Sequence, residues 1–367
     1  MFVTGFTQDR GACTRLRIWQ PLKRIHRLGL AKTHTVEPTD GDVEEILDKT
    51  DIAVSGRGSG DRFHNIMRRI QAKGVKVVYD MDDNYMEIHP LSPHYKQLGI
   101  MPVDLEHPDG RCAPLWQDGT AGFDIKKNRE TRMGFPPVIG QADCVTVSTE
   151  PLHKVYSRFN DNVHVVPNAL DFRLWGGYVP KHPDGKVRIL YTGAANHQED
   201  FLFIREPLEE IQKRHDNVVI VFVGTDWKHM GSDLDYSRIE VHEWVDFCAY
   251  PYLIKYLACD IGLAPISVDQ FNNCRSELKW MEYSARKMAT VATNYGPYKR
   301  AMKDGETGLL VMEPEEWVEA ISALVEKPRL GEMLAHNAYK TIWRHHNLDF
   351  IVEKWMDVFN QLIEEKR

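Results

Sequence analysis

The sequence has few of the features that mark secreted or membrane proteins. It contains six cysteines in 367 residues, and no two of them form a Cys-x-x-Cys pair. This pattern argues for a reducing compartment and against a structural zinc site. No apolar run approaches the ~20 residues of a membrane span, and the N-terminus passes from Met1 into polar sequence without a secretory signal. We therefore expect a soluble cytoplasmic protein.

Charge is distributed unevenly along the chain. The net charge is −7, yet residues 1–175 contain 23 Lys and Arg and 23 Asp and Glu, so the remainder carries the whole net charge. The neutral half contains two basic clusters. The first consists of Arg10, Arg15, Arg17, Lys23, Arg24, Arg27 and Lys32, and the second of Arg57, Arg62, Arg68, Arg69, Lys73 and Lys76. Such clusters either attract a polyanion such as a nucleic acid or are solvated helix faces.

Strand-like apolar runs alternate with helical patterns throughout the chain, which is typical of parallel α/β architecture. Strands are predicted at residues 51–54, 75–79, 142–147, 163–166, 187–191, 218–223, 239–241, 261–264 and 290–292. Helices are predicted at residues 61–73, 151–158, 201–215 and 349–365. Residues 180–185 are predicted to be a linker, 304–308 a turn, and 89–123 a long loop without periodicity.

This alternation predicts two Rossmann-like, doubly wound domains that face each other across a cleft. The first domain covers residues 1–178 and the second covers residues 185–345. A helix in residues 346–367 is expected to pack back on the first domain. Ligands of parallel sheets bind at the C-terminal ends of the strands, so the cleft is the expected ligand site.

The most informative pattern lies at residues 271–283. If this segment is a helix capped by Asn273, the cations Arg275 and Lys279 lie near its start, on one stripe with Glu282 and Arg286. A helix start with added positive charge suits a diphosphate. A carboxylate one turn deeper is placed to accept from two adjacent ribose hydroxyls. The alternative interpretation is a solvated helix face with ordinary salt bridges.

Two glycine turns are expected at the same edge of the second sheet. Gly193 follows a strand and precedes a helix, so the backbone there permits close approach of a ligand and the helix start favours an anion. Gly296 follows the strand at residues 290–292. Convergence of both turns with the cationic helix in one cleft predicts a sugar-nucleotide site.

Residues 165–171, 190–193 and 305–311, in that order, resemble the retaining, nucleotide-sugar-dependent glycosyltransferases of family 4. These enzymes have the GT-B fold of two Rossmann-like domains. The strongest resemblance is to a branch with a Thr-His-Asp-like turn and the motif Phe-Asn-x-x-Lys-Ser-x-x-Lys-x-x-Glu-Tyr, which correspond here to residues 196–200 and 271–283. The resemblance covers residues 140–345 well and the first 140 residues loosely.

The resemblance implies roles for individual residues. Glu282 would hold the nucleotide ribose, while Arg275 and Lys279 would bind the diphosphate and act in catalysis. Residues 241–245 would lie against the base. The remaining donor-binding residues would be Gly193, His197, Ser276, Gly296 and Trp244.

The chain also departs from the family pattern. The carboxylate that usually contacts the donor sugar, eight positions before Glu282, is replaced by Cys274. The usual cations after the Gly193 position are replaced by Ala194 and Glu199, so Arg275 and Lys279 would take their place. The donor sugar is therefore left open.

An Asp-rich turn at residues 80–84 follows a predicted strand of the first half. An Asp-x-Asp turn resembles the metal site of GT-A glycosyltransferases, but a similar turn recurs in the GT-B branch, and we expect no metal. Asp82 or Asp83 would orient an acceptor hydroxyl and act in catalysis, or would instead form an Asx-type turn. Arg15 is a weaker candidate for the same cleft.

These observations predict a retaining glycosyltransferase that moves a hexose or pentose from a nucleoside-diphosphate sugar to an acceptor hydroxyl, without a metal or other cofactor. The expected acceptor is a glycan or a lipid-linked sugar. The alternative acceptor is a hydroxymethylated base in phage DNA, suggested by the basic clusters. Functions of other classes are a non-catalytic nucleotide-sugar binding protein and a sugar-nucleotide 2-epimerase. The sequence leaves the oligomeric state open.

Overall fold

The structure is a computed structural model that describes residues 1–7, 11–36, 43–90, 92, 94–106, 112–177, 182–194, 197–227 and 233–364. Its internal contacts divide the chain into two units. The first unit consists of Met1–Asn168 with Ile351–Arg367, and the second of Ala169–Phe350. Arg10, Asn196 and residues 180–181 of the predicted linker lie outside the described residues.

The first unit is built on a six-stranded parallel sheet with the strand order β2-β1-β3-β4-β7-β8. Its strands are β1 Phe2–Phe6, β2 Lys32–Val36, β3 Ile52–Gly56, β4 Lys76–Met81, β5 Val103–Glu106, β6 Cys112–Trp116, β7 Cys144–Val147 and β8 Val163–Val165. Its helices are α1 Ala12–Thr14, α2 Gln20–Arg27, α3 Val43–Leu47, α4 Gly60–Ala72, α5 Tyr95–Leu98, α6 Ile125–Met133, α7 Phe135–Gln141 and α8 Glu150–Tyr156. A π-helical turn, Arg15–Trp19, joins α1 to α2.

The second unit has the same architecture, with the strand order β11-β10-β9-β12-β13-β14. Its strands are β9 Val187–Gly193, β10 Val218–Gly224, β11 Ile239–His242, β12 Ile261–Ala264, β13 Ala289–Thr293 and β14 Leu309–Val311. Its helices are α9 Phe172–Trp175, α10 Gln198–Arg214, α11 Tyr250–Leu257, α12 Gln270–Cys274, α13 Leu278–Ala285, α14 Gly296–Ala301, α15 Pro314–Glu326 and α16 Pro328–His345. A 3₁₀ turn, Tyr236–Arg238, precedes β11. The last helix, α17 Leu348–Glu364, runs from this unit into the final segment of the first.

Both six-stranded sheets are doubly wound, which confirms the predicted α/β class. In each, the first strand has neighbours on both sides, and the chain adds strands first on one side and then on the other. The residues of β9 alternate between two cores: Leu190 belongs to one cluster, while Ile189 and Tyr191 belong to the other. This alternation follows from the pleat of a strand that is covered on both faces.

The prediction of a structureless loop at residues 89–123 is wrong. The described part of this segment contains α5 and an antiparallel pair formed by β5 and β6. Tyr95, Trp116 and Phe123 lie within 6 Å of one another in ring contacts, and the Trp116 indole donates to the carbonyl of Pro90. Aromatic contacts thus hold the segment in place, and such contacts leave no local periodicity in the sequence.

Among the described residues, no helix combines the length and the apolar character needed to cross a membrane.

Candidate functional site

The predicted continuous helix over residues 271–283 is in fact two helices. The first, α12, is capped by Asp269, whose carboxylate accepts from the Asn272 backbone N–H at 2.8 Å, so the prediction of Asn273 as cap is wrong. The chain then leaves the helical region at Arg275, with ψ 163°. Arg300 stabilises the break because its guanidinium donates to the Arg275 carbonyl at 3.1 Å, an acceptor that a continuous helix would use internally.

The break creates a second helix start beside the predicted cations. Arg275 and Ser276 lie in the connection, and Lys279 lies in the first turn of α13. The first N–H groups of a helix have no acceptor within the helix, and they favour an anion. The corrected local structure therefore places backbone donors of α13 closer to Arg275 and Ser276 than a single long helix would.

Lys279 lies among charged groups of both signs. Its Nζ lies 5.0 Å from the centre of the Tyr191 ring. Burial lowers the pKa of Lys279 to about 8; Asp200 and Glu282 act in the opposite direction and Arg275 in the same direction. An ammonium group that is partly removed from water and close to another cation has a strong electrostatic preference for an anionic ligand.

His197 is held in a fixed orientation next to these cations. Its Nδ1 lies 2.7 Å from a carboxylate oxygen of Asp200, whose other oxygen accepts from the backbone N–H of Ser267 at 3.0 Å. Burial, together with the charges of Lys279 and Arg275, lowers the pKa of His197 to about 4, against the opposing effect of Asp200. A neutral ring that donates from Nδ1 to Asp200 presents Nε2 as an acceptor.

Glu282 is buried one turn beyond Lys279 on α13, and its Oε2 accepts from the hydroxyl of Tyr250 at 3.3 Å. Burial raises the pKa of Glu282 to about 8, although Tyr250 and Lys279 act to lower it. A carboxylate with one buried donor and a second oxygen available for ligand hydroxyls suits a ribose.

Trp244 lies against the C-terminal ends of β9 and β10. A Cβ atom on Gly224, whose φ is +105°, would lie 2.6 Å from the Gly193 carbonyl oxygen and 2.9 Å from the Trp244 indole. Glycine is therefore required where the indole approaches the backbone. The indole is 51% exposed and lies 6.0 Å from the ring of Tyr250, the residue that hydrogen-bonds to Glu282.

Gly296 packs against α12. Its φ is +51°, and an added Cβ would lie 3.3 Å from the Asn272 carbonyl oxygen. The packing of α14 on α12 therefore accounts for this glycine, independently of any ligand.

Arg286 does not belong to the predicted cationic stripe. Its guanidinium is buried and donates to the carbonyls of Leu174, Trp175, Gly176 and Pro251 at 2.7–3.0 Å. These bonds fasten α13 to α9 and to the first turn of α11, so the role of Arg286 is structural.

In the first unit, two arginines hold the Asp-rich turn. Arg17 donates to Asp80 from Nε and Nη2 at 3.1 and 2.7 Å, and Arg57 donates to Asp82 from Nε and Nη2 at 2.8–3.2 Å. Burial opposes ionisation of Asp82, but the charge and hydrogen bonds of Arg57 hold the pKa of its carboxyl below the usual range. Both carboxylates are thus already paired with a guanidinium.

The other candidates of the first unit have separate positions. Asp83 is partly buried and its carbonyl accepts from the Tyr156 hydroxyl at 2.6 Å. Asn84 forms an Asx-type turn beside Asp82 and Asp83, in which its side chain accepts from the Met86 N–H at 3.1 Å. The guanidinium of Arg15 lies 5.8 Å from the Trp19 ring.

Most of the second basic cluster is neutralised within the first unit. Salt bridges join Arg69 and Lys73 to Glu44, Lys73 also to Asp48, and Lys76 to Asp143. In the first cluster, Arg17 is buried, whereas Lys23 and Arg27 on α2 are exposed. The remaining positive surface of the described residues is therefore smaller than the sequence suggests.

Sequence reasoning overlooked four residues that complete these arrangements. Asp200 follows His197 by three positions in the recognised motif, and Gly224 directly follows the predicted strand at residues 218–223, so both left a sequence signal. Arg57 was recognised only as a member of the second basic cluster, and Tyr250 left no signal, because each becomes relevant only through a partner that is distant in sequence. Among the described residues, no group of three His, Cys, Asp or Glu side chains is arranged to hold a metal ion.

Comparison with known proteins identifies the family of a domain in the second unit. Residues 186–327 match the model of the family described as group 1 glycosyl transferases. No curated protein sequence matches the chain.

Solved structures extend the likeness to both units. A glycosyltransferase from Rickettsia africae is 12% identical with a TM-score of 0.65, and the match covers 99% of this chain and 98% of that one. HepE from Anabaena, solved with UDP, is 9% identical with a TM-score of 0.63 and coverages of 98% and 100%. TarM from S. aureus is 14% identical with a TM-score of 0.59; the match covers 87% of this chain, which spans 57% of TarM.

These structures share the GT-B fold, and at such low identity the likeness establishes the fold. The family match places a group 1 glycosyl transferase domain on the second unit, where Arg275, Lys279 and Glu282 lie. The chain has the GT-B fold, and its second unit contains a group 1 glycosyl transferase domain.

Proposed function

We propose that this enzyme binds a nucleoside-diphosphate sugar on its second unit and transfers the sugar, with retention of configuration, to a hydroxyl of a glycan or lipid-linked sugar. The observation that carries the proposal is the grouping of Arg275, Lys279, Glu282 and His197 at one edge of the second sheet. This edge is where parallel α/β sheets bind nucleotides.

Each part of the donor has a chemically suitable partner in this group. Arg275, Lys279 and the helix start of α13 suit the diphosphate, and Ser276 lies in the same connection. Glu282 suits the ribose hydroxyls, and the exposed indole of Trp244 suits the flat base. Because HepE has been solved with UDP and with UDP-glucose, UDP-sugars are the first donors to test.

Charge on the leaving group determines the proposed chemistry. The bond between the anomeric carbon and the diphosphate oxygen breaks, and Arg275 and Lys279 stabilise the negative charge that develops on that oxygen. The acceptor oxygen forms its new bond on the same face of the sugar. Its proton passes to the departing phosphate oxygen, so configuration is retained and neither a metal nor an additional base is needed.

The surface of the first unit favours a glycan or lipid-linked sugar over DNA as the acceptor. Nucleic-acid binding depends on cations that are available to neutralise phosphates. In this unit Arg69, Lys73 and Lys76 already have carboxylate partners, and Arg17 is buried. Cys13, Cys144, Cys248, Cys259 and Cys274 are free thiols, which agrees with the proposed cytoplasmic location.

A two-stage experiment tests the proposal. Thermal shift with a panel of nucleoside-diphosphate sugars and the matching nucleoside diphosphates identifies the donor, because a ligand that binds only the folded state raises the melting temperature. Mass spectrometry with glycan, lipid-linked sugar and hydroxymethylated duplex acceptors then identifies the product. Nuclear magnetic resonance of the anomeric proton reports retention or inversion.

Three outcomes would contradict the proposal. Donor binding without any turnover would indicate a non-catalytic binding protein. Recovery of an epimerised nucleotide sugar without transfer would indicate an epimerase, and an inverted product would reject the same-face mechanism.

Lys303→Ala is a suitable control for loss of a surface cation because Lys303 is 77% exposed and lies outside the donor group.

A further inference from the structure

A small crevice lies at the switch point of the first sheet. The chain adds β2 on one side of β1 and β3 on the other, and the crevice opens where β1 and β3 end, at Phe6 and Gly56. Its polar lining consists of the side chains of Cys13, Thr14, Arg17, Arg57, Asp80 and Asp82. Such crevices outside the carboxyl ends of strands are where open α/β sheets bind ligands.

The backbone conformation at Arg57 is unfavourable for an arginine. Glycine is required on both sides, since a Cβ on Gly56 would lie 2.4 Å from the Asp80 carbonyl oxygen and one on Gly58 would overlap the Phe63 ring. Arg57 itself has φ +63°, where glycine is the favoured residue. An arginine kept in this conformation costs about 1 kcal/mol or more.

Two adjacent ion pairs in this unit differ in accessibility. Arg17 and Asp80 are 3% and 5% exposed, and Arg17 also donates to Asn168 at 3.2 Å, so this pair joins parts of the fold. Arg57 is 27% exposed and borders the crevice. Its bonds to Asp82 use Nε and Nη2, which leaves the two N–H groups of Nη1 for other partners.

The size and charge of the crevice limit what enters it. Its volume is about 20 Å³, room for one water-sized group. The charges that line it are Arg17, Arg57, Asp80 and Asp82, which sum to zero, so it offers no net attraction for a phosphate or carboxylate. A hydroxyl is an uncharged group of this size, and it can donate to a carboxylate while it accepts from a guanidinium.

We propose that the crevice bounded by Phe6, Cys13, Gly56, Arg57 and Asp82 binds a hydroxyl of an uncharged sugar acceptor, with Asp82 accepting from it and Arg57 donating to it. This inference rests on the proposed function, because it assigns the acceptor side of that reaction. Asp82 acts as a hydrogen-bond acceptor that its arginine keeps ionised. It is not the base of the reaction.

The first test removes the pair together. Arg57→Gly combined with Asp82→Asn relieves the left-handed backbone and leaves no buried carboxylate unpaired, so the protein is expected to fold. The acceptor KM should rise on the order of tenfold or more, because hydrogen bonds to charged groups are lost. Donor affinity, measured by calorimetry, should not change. Lys287→Gly is the matched control, since Lys287 is also a long cation at positive φ, 57°, but lies in the second unit.

A second pair of variants changes Cys13, which lines the crevice and hydrogen-bonds to the side chain of Asp82. Cys13→Met adds volume at the lining, whereas Cys13→Ser does not. The methionine variant should raise the acceptor KM; the serine variant, which keeps a hydrogen-bond donor of similar size beside Asp82, should raise it less. If both the double variant and the methionine variant fold and keep the wild-type acceptor KM, the crevice is not the acceptor site.

The wild-type enzyme distinguishes failure of this inference from failure of the proposed function. If the enzyme transfers sugar to simple sugar acceptors and the crevice variants keep the wild-type acceptor KM, only the assignment of the crevice as acceptor site is overturned. Donor binding with no transfer to any acceptor overturns the proposed function, and the inference with it. Transfer to a hydroxymethylated duplex but to no sugar overturns the sugar hydroxyl as the group bound here.

Discussion

Tyr250 donates its hydroxyl to Oε2 of Glu282 across 3.3 Å. The tyrosine begins α11 and the glutamate lies within α13, so the bond joins two helices of the second unit. Both side chains are buried. The bond occupies one carboxylate oxygen of Glu282 and leaves the other for the ribose hydroxyls of the proposed donor site, in which Tyr250 would position Glu282.

Replacement of Glu282 is expected to weaken donor binding more than acceptor binding. Glu282→Ala removes a carboxylate proposed to accept from two ribose hydroxyls, a loss of about 1.5–3 kcal/mol. Calorimetry with the donor measures the change. Tyr250→Phe should give a smaller loss in the wild-type background and almost none in the Glu282→Ala background, as a double-mutant cycle would show. An unchanged donor affinity in Glu282→Ala would reject the ribose assignment.

Replacement of Lys279 is expected to lower turnover more than donor affinity. Negative charge on the leaving diphosphate is greatest in the transition state, so a cation that contacts it contributes more to kcat than to binding. Steady-state kinetics and calorimetry on Lys279→Ala separate the two effects. Arg205→Ala is a control of similar charge, since Arg205 pairs with Glu206 on α10. Equal losses in kcat and affinity, or no loss, would count against a leaving-group role.

Local sequence patterns predicted nine of the twelve strands in the two sheets, because most of these strands are apolar runs. They did not predict β1, β2 and β14, and β2 is a polar, partly exposed strand. The strands predicted at residues 187–191 and 218–223 correspond to β9 and β10. The prediction of a single helix at residues 271–283 is wrong for the opposite reason. Its break depends on the Arg300 guanidinium at the Arg275 carbonyl, a contact between residues 25 positions apart that leaves no local periodicity.

The sequence indicated the residue types of the candidate site better than their partners. Arg275, Lys279 and Glu282 were recognisable because their spacing follows a helix and resembles a known motif. Tyr250, which is 32 positions before Glu282, carried no such signal. Likewise, the carboxylates of Asp80 and Asp82 were predicted as a feature of the turn, but their arginine partners come from 63 and 25 positions away.

Donor affinity is expected to pass through a maximum near pH 8. Burial raises the pKa of Glu282 to about 8 and lowers that of Lys279 to about 8. Below that pH, ligand hydroxyls must displace a proton from Glu282; above it, Lys279 loses the charge that holds the diphosphate. Affinity should therefore rise as pH approaches 8 from below and fall beyond it.

Two variants separate the two sides of this pH profile. In Glu282→Gln, donor affinity should no longer rise below pH 8 but should still fall above it. In Lys279→Met, donor affinity should still rise below pH 8 but should no longer fall above it. Calorimetry in buffers of different ionisation enthalpy measures both the affinity and the protons taken up or released. A pH-independent affinity in the wild-type enzyme would show that neither group changes ionisation on binding.

Activity is expected to survive chelation by EDTA. The carboxylates of Asp80 and Asp82 are each engaged by a guanidinium, and the diphosphate has its own cations in Arg275 and Lys279. Asp82→Asn should therefore leave the response to added metals unchanged, whatever its effect on acceptor KM. Assays before and after chelation, with magnesium, manganese or calcium restored, provide the measurement. Restoration of a chelated enzyme by manganese alone would identify the Asp-rich turn as a metal site.

Salt dependence distinguishes a DNA acceptor from a sugar acceptor. Each phosphate contact contributes about one unit to the slope of log affinity against log salt, so a DNA-modifying enzyme would lose affinity for a hydroxymethylated duplex steeply. Because many cations of the first unit are paired or buried, we expect a slope close to zero. Charge reversal at Arg24 and Arg27 on α2 should then leave transfer to a sugar acceptor unchanged. A steep slope that these reversals reduce would instead place DNA on this helix, and fluorescence anisotropy at low and high salt measures both quantities.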